Sequence, residues 1–145
     1  MEPCVIQPDL YSDEYLSWSD VKPEEIIVET IYIENRGDAN TELDWEICEY
    51  PSWGTWNFEP QSGTDLRPED GPFTIEVTVV APNQQNKQFN GDIKIVNKEN
   101  NADFYKIPVY LKTPRNHPVI FQKILQVLRN LFSRFQLFEQ LLNLH

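Results

Sequence analysis

The sequence predicts an all-β fold, a seven-stranded β-sandwich of immunoglobulin type followed by a C-terminal amphipathic α-helix. Three observations carry it. Between Tyr15 and Lys112 apolar residues recur with a period of two, and no helical period intervenes. Seven such runs in roughly 100 residues match the strand density of an immunoglobulin-type sandwich. Beyond Thr113-Pro114 the apolar spacing changes to 3-4-3-4 and the net charge changes sign.

Leu16 and Trp18 share one face of the first strand, which stops at Lys22-Pro23. Ile26 to Glu34 is the second, with Ile27, Ile31 and Ile33 on one face and Glu29 an anomaly among them. An edge or a bulge would explain that glutamate. Asn35-Arg36-Gly37-Asp38 is a turn, and its Arg-Gly-Asp reads as turn chemistry, not recognition. Leu43, Trp45 and Ile47 point inward from the third strand, with acids outward. Trp56 and Phe58 make a short fourth strand before the turn Pro60-Gln61-Ser62-Gly63. Phe73, Ile75, Val77 and Val79 line the fifth, ended by Pro82. Phe89, Gly91, Ile93 and Ile95 line the sixth, and alternation runs through Asn90-Gly91 without a turn. Tyr105, Ile107, Val109 and Leu111 line the last. Pro108 cannot donate to a ladder, so that strand lies at an edge or its N–H side is unpaired.

Charge divides the chain. Of its 145 residues, 1–114 hold 8 Lys/Arg and 22 Asp/Glu, net −14, while 115–145 hold 4 and 1, net +3. The expected organisation is a sandwich domain over 1–114 and a helical tail over 115–145. An acidic body argues against a nucleic-acid partner held through phosphates. No run approaches the ~18–20 apolar residues of a membrane span. The N-terminus lacks the basic start and apolar core of a secretion signal, which leaves a cytosolic protein or a piece of a longer exported one. Cys4 and Cys48 read as small buried thiols, with a disulfide between them as the alternative.

The order Glu34-Asn35-x-Gly37, Leu43-x-Trp45, Pro51-Ser52-Trp53, Phe58-x-Pro60-x-Ser62-Gly63, Pro72-Phe73-Thr74-Ile75-x-Val77, Gly91-x-Ile93-x-Ile95 and Ile107-Pro108-Val109-x-Leu111 resembles the BACON and related Ig-like repeats. Those repeats occur in bacterial and archaeal cell-surface and secreted proteins, and the likeness covers residues 15–113. It implies a seven-stranded spacer, adhesion or glycan-binding module at the cell surface or outside the cell, without catalytic residues.

The residues offer few centres of chemistry. Tyr50, Trp53 and Trp56 crowd the segment after Trp45, and flat apolar rings are what a sugar stacks on. These three are the candidate glycan contacts, with end-plugging of the sandwich as the plainer reading. Asp65, Glu69 and Asp70 crowd one loop but match no calcium-loop spacing, so no metal is expected. The two histidines, His117 and His145, have no nucleophile, base or zinc motif around them. The expectation is a non-enzyme without a cofactor.

The tail carries the strongest expectation of a partner. Phe121, Ile124, Leu128, Leu131, Phe135, Phe138 and Leu142 form a helical stripe widened by Leu125 and Phe132, with polar residues opposite. A stripe that wide suits self-association or a protein partner, contact with an anionic membrane surface, or docking back on the sandwich. It is also similar to the Phe/Leu-rich helical extensions that end some archaeal surface proteins after Ig-like repeats.

Overall fold

The computed structural model describes residues 5–115 and, apart from them, Asn130. Nine strands form: β1 Leu10–Tyr11, β2 Leu16–Trp18, β3 Ile26–Asn35, β4 Leu43–Glu49, β5 Thr55–Glu59, β6 Ser62–Leu66, β7 Phe73–Val80, β8 Gln88–Asn97 and β9 Asn100–Lys112. A 3-10 turn, Pro68–Asp70, links β6 to β7. One sheet has the order β1-β3-β7-β5 and the other β2-β9-β8-β4-β6.

The expected fold class therefore needs correcting. The described chain is all-β and two-layered, but with nine strands instead of seven, and its elements include no α-helix. Apart from Asn130, the amphipathic helix expected beyond Pro118 lies outside the described residues. Seven became nine because two edge segments each serve both sheets. The first pairs as β1 with β3, then crosses to pair as β2 with β9. The second pairs as β5 with β7, crosses at the cis Glu59-Pro60 peptide, and pairs as β6 with β4.

Burial follows the period-two pattern. Ile31, Ile33, Ile75 and Val77 from one sheet meet Leu43, Trp45, Ile47, Ile93, Ile95, Ile107 and Val109 from the other. Such aliphatic burial, about 25 cal/mol per Å² of apolar surface, is the main force closing the sandwich. Trp45 is the central ring. Gly63 of β6 lies against it, where an added Cβ would come within 2.6 Å of the indole Nε1. A smaller cluster of Val21, Ala81 and Leu111 fills one end.

Pro108 does not make β9 an edge, since β9 runs between β2 and β8. The Lys112 carbonyl accepts from Val21 N–H on the β2 side, while Thr113 N–H donates to Lys87 on the β8 side. Even-numbered positions of β9 thus face β2, and β2 begins only opposite Val109. The missing donor of Pro108 falls beyond the end of β2 and costs the β8 ladder nothing.

Candidate functional site

The segment Tyr50–Phe58 wraps one end of the sandwich because Pro51 and Gly54 bend it there. Pro51 is buried beneath Gly91, where an added Cβ would meet its Cγ at 2.8 Å. Gly54 takes φ +71°, a left-handed conformation that a side chain would strain. Around these bends the rings form a continuous chain. Trp53 meets Phe89 at 5.4 Å and Trp56 edge-on at 5.3 Å between centroids. Trp56 stacks on Phe58 at 6.1 Å, and Phe58 meets Tyr50 at 5.7 Å.

The three candidate glycan contacts are thus brought together, but they differ in what they present. Trp53 Nε1 donates to the Asn90 carbonyl and Trp56 Nε1 to the Trp53 carbonyl, each at 2.8 Å. Both rings are half-buried against the core, so their polar atoms are spent inside the fold. Tyr50 alone is exposed. What remains for a ligand is the Tyr50 ring with its hydroxyl and the exposed parts of two indoles.

The other candidate residues are placed as follows. Asp70 accepts the Arg67 backbone N–H at 2.8 Å, and Glu69 accepts that of Asn40 at 3.4 Å. Asp65 has its carboxyl pushed up chiefly by the charge of Glu42, which itself holds Arg67 at 2.7 Å. In the Arg-Gly-Asp turn, the Asp38 carboxylate accepts Gln7 N–H at 2.9 Å, and Arg36 lies 3.5 Å over the Tyr11 ring. Both side chains are thus engaged by the fold, although Arg36 and Asp38 are exposed. Cys48 is exposed instead of buried, with its Sγ 3.7 Å from the Lys94 carbonyl. Cys4 and the tail residues Phe121, Ile124, Leu125, Leu128, Leu131, Phe132, Phe135, Phe138 and Leu142 lie outside the described residues.

Two surface features escaped the sequence reading. An open groove of about 570 Å³ crosses β2, β9 and β8, walled by Tyr15, Ser17, Asn90, Asp92, Pro108 and Tyr110. β2 is distant in sequence from the β8–β9 hairpin, and the β2–β9 pairing brings their residues together. The second is a hollow of about 290 Å³ beside β1 and β3, which includes Tyr11, Asp13, Glu14 and Tyr32.

Neither a family model nor a curated protein matches the sequence. The fold is similar to that of the ASH / PapD-like domain of human CEP192 (PapD-like domain 7), with a TM-score of 0.53. The match covers 79% of this chain and 90% of that one at 11% sequence identity. The shared property is the fold, an Ig-like β-sandwich. BACON repeats in particular are not singled out by it.

Proposed function

We propose that the chain is a non-catalytic, load-bearing Ig-like module, a spacer of a cell-surface or exported protein. The observation that carries this is the parallel pairing of β2 with β9, Leu16 opposite Val109 and Trp18 opposite Leu111. Parallel strands that lead to opposite sides of a domain slide past each other when the chain is stretched. Their hydrogen bonds are then loaded together in shear, whereas a hairpin pulled at its open end gives way one bond at a time. Val21 N–H on the Lys112 carbonyl at 3.2 Å extends the clamp by one further bond. Each bond contributes only about 1 kcal/mol, so simultaneous loading is what makes a few of them resist. The surface or exported setting comes from the resemblance to BACON and related repeats.

Single-molecule stretching tests the reading, because forced unfolding reports the barrier to rupture. Handles are placed through cysteines at positions 5 and 115, in a background with Cys4 and Cys48 changed to serine. A second protein carries them at 87 and 115, the open end of the β8–β9 hairpin, where Gln88 faces Lys112. The 5–115 pair should need a clearly higher unfolding force at the same loading rate. Equal forces in the two geometries would remove the load-bearing role.

A further inference from the structure

The long strand β3 is only half covered on one side. β7 pairs with it from Ile26 to Ile33, but on the other side β1 reaches only Glu34 and Asn35. The direction of the free groups follows from the bonds at its covered end. Arg36 N–H donates to the Asp9 carbonyl, and Ser12 Oγ donates to the Tyr32 carbonyl at 2.8 Å. Even-numbered residues therefore turn their backbone toward the β1 side. There the first segment departs for the other sheet, and among the described residues no strand lies on that side of Ile26, Val28 or Thr30. Their N–H and C=O groups form a row about 14 Å long, at roughly 3.4 Å per residue.

Edges of this kind are usually blunted by lysine, proline or a bulge. The run Ile26-Ile27-Val28-Glu29-Thr30 has none of these; its one inward charge, Glu29, is taken up by the Trp18 indole N–H, and Ile26 and Val28 are 66% and 58% exposed. Its surroundings are acidic. Asp13 and Glu14 line the hollow where β1 leaves β3. Glu14 has its carboxyl raised by burial and by the charges of Asp13 and Glu29. Arg36, at the covered end of the strand, is already paired with Glu34, and Lys22 stands in the turn before Ile26, where its carbonyl accepts from Glu25 N–H. A second copy of the chain would bring the same carboxylates against these, whereas a basic strand would neutralise them.

We propose that the β3 edge from Ile26 to Thr30 binds an extended, basic segment of a partner protein as an added strand. Backbone pairing supplies the register, and lysine or arginine beside Asp13 and Glu14 supplies the selectivity. The site is separate from the β2–β9 clamp, so the two can succeed or fail independently.

The probe is a capped peptide of about eight residues alternating lysine and valine, titrated into the full chain at low salt. Amide hydrogen exchange of the complex should show new protection at Val28 and Thr30. The same peptide with N-methylated backbone amides should bind about tenfold more weakly or worse, and a glutamate–valine peptide should not bind. Asp13→Asn with Glu14→Gln should weaken the lysine peptide while leaving the fold intact by circular dichroism. No binding by the lysine peptide overturns the proposal, as does equal binding of the N-methylated or acidic peptide. Protection confined to other strands does the same. Protection of Val28 and Thr30 that rises with protein concentration alone would assign the edge to a second copy and overturn it too.

Discussion

The indole N–H of Trp18 donates to Oε1 of Glu29 at 3.2 Å, tying β2 of one sheet to β3 of the other. Glu29 sits on the inward face of β3, where Ile31 and Ile33 are fully buried two and four residues on. It is tolerated there because that stretch of β3 has no neighbour on one side, and the half-buried carboxylate meets an indole donor. Its partner ring also packs at 6.3 Å from Trp56, so the pair joins the crossing of the first segment to the aromatic end. A double-mutant cycle of Trp18→Phe and Glu29→Ala should give a coupling of about 0.5–1.5 kcal/mol in urea unfolding, the usual value of one such bond. Additive losses would make the contact incidental.

Glu14 gives the fold a small acid-side gain. Burial first, then Asp13 and Glu29, raise its carboxyl above the ordinary 4.5. The folded state then holds its proton more tightly than the unfolded state, so this group's contribution worsens as pH rises through that window. Glu14→Gln should raise the melting temperature modestly at about pH 7, and the gain should vanish by about pH 3, where both states are protonated. Thermal melts of the two proteins across that range decide it. A gain that persists in acid would point to packing instead of charge.

Most of the sandwich was legible because its strands alternate strictly. Ile26 to Glu34 became Ile26–Asn35, and Phe73 to Val79 became Phe73–Val80. What the alternation hid were the switched pieces. β1 has two residues, too short for any period, and it is held by Asp9 and Gln7 carbonyls accepting from Arg36 and Asp38. β6, Ser-Gly-Thr-Asp-Leu, has one buried apolar residue, Leu66, and begins in the run that reads as a turn. It is a strand because Trp45 needs a flat backbone against its ring, a tertiary demand that local pattern does not carry. The ring cluster of the candidate site was visible as composition. That its indole N–H groups turn inward was not, since their acceptors are backbone carbonyls, one of them Asn90, 37 residues away.

Gly63 should therefore be the least replaceable position of β6. A methyl there would approach Trp45 Nε1, Cε2 and Cζ2 at 2.6, 2.8 and 2.9 Å, and that indole is 1% exposed with no room to retreat. Gly63→Ala should cost about 1–3 kcal/mol, the usual range for overpacking a core. The check is urea unfolding beside Gly71→Ala. Gly71 has open space around its Cα but a φ of +72°, so its replacement strains backbone alone. A harmless Gly63→Ala would mean that the β4–β6 contact is looser than described.

Asn35 holds the turn that follows β3. Its amide donates to Thr41 Oγ1 at 3.1 Å and the Leu66 carbonyl at 3.0 Å, while its Oδ1 accepts from Gly37 and Asp9 N–H at 2.9 and 3.1 Å. The side chain is buried, with both ends in use. Asn35→Asp keeps the acceptor but turns a carboxylate toward the Leu66 carbonyl, and Asn35→Ala orphans partners at both ends. Each should lose about 2–3 kcal/mol, more than the ~1 kcal/mol of a single bond. The loss from Asn35→Asp should shrink in acid as the carboxyl protonates and regains a donor. Chemical unfolding at neutral and acidic pH separates the two variants.

The aromatic end offers a direct contrast between support and display. If Trp53 and Trp56 chiefly plug the sandwich, replacing either by alanine leaves a cavity and an orphaned carbonyl, at Asn90 or at Trp53. Half-buried indoles put the expected loss at about 2–3 kcal/mol, below the 3–5 kcal/mol of a fully buried tryptophan. Tyr50 is 50% exposed and meets the Phe58 ring at a tilt, so Tyr50→Ala should cost about 0.5–1 kcal/mol. Urea unfolding of the three variants, with near-ultraviolet circular dichroism to follow the ring cluster, reads the order. Losses ranked Trp53 and Trp56 well above Tyr50 mean that the cluster's stability role constrains the indoles, leaving Tyr50 as the ring free to vary. If all three cost under ~0.5 kcal/mol, the rings are not needed for the fold, and contact with a ligand becomes the reading of the cluster to test.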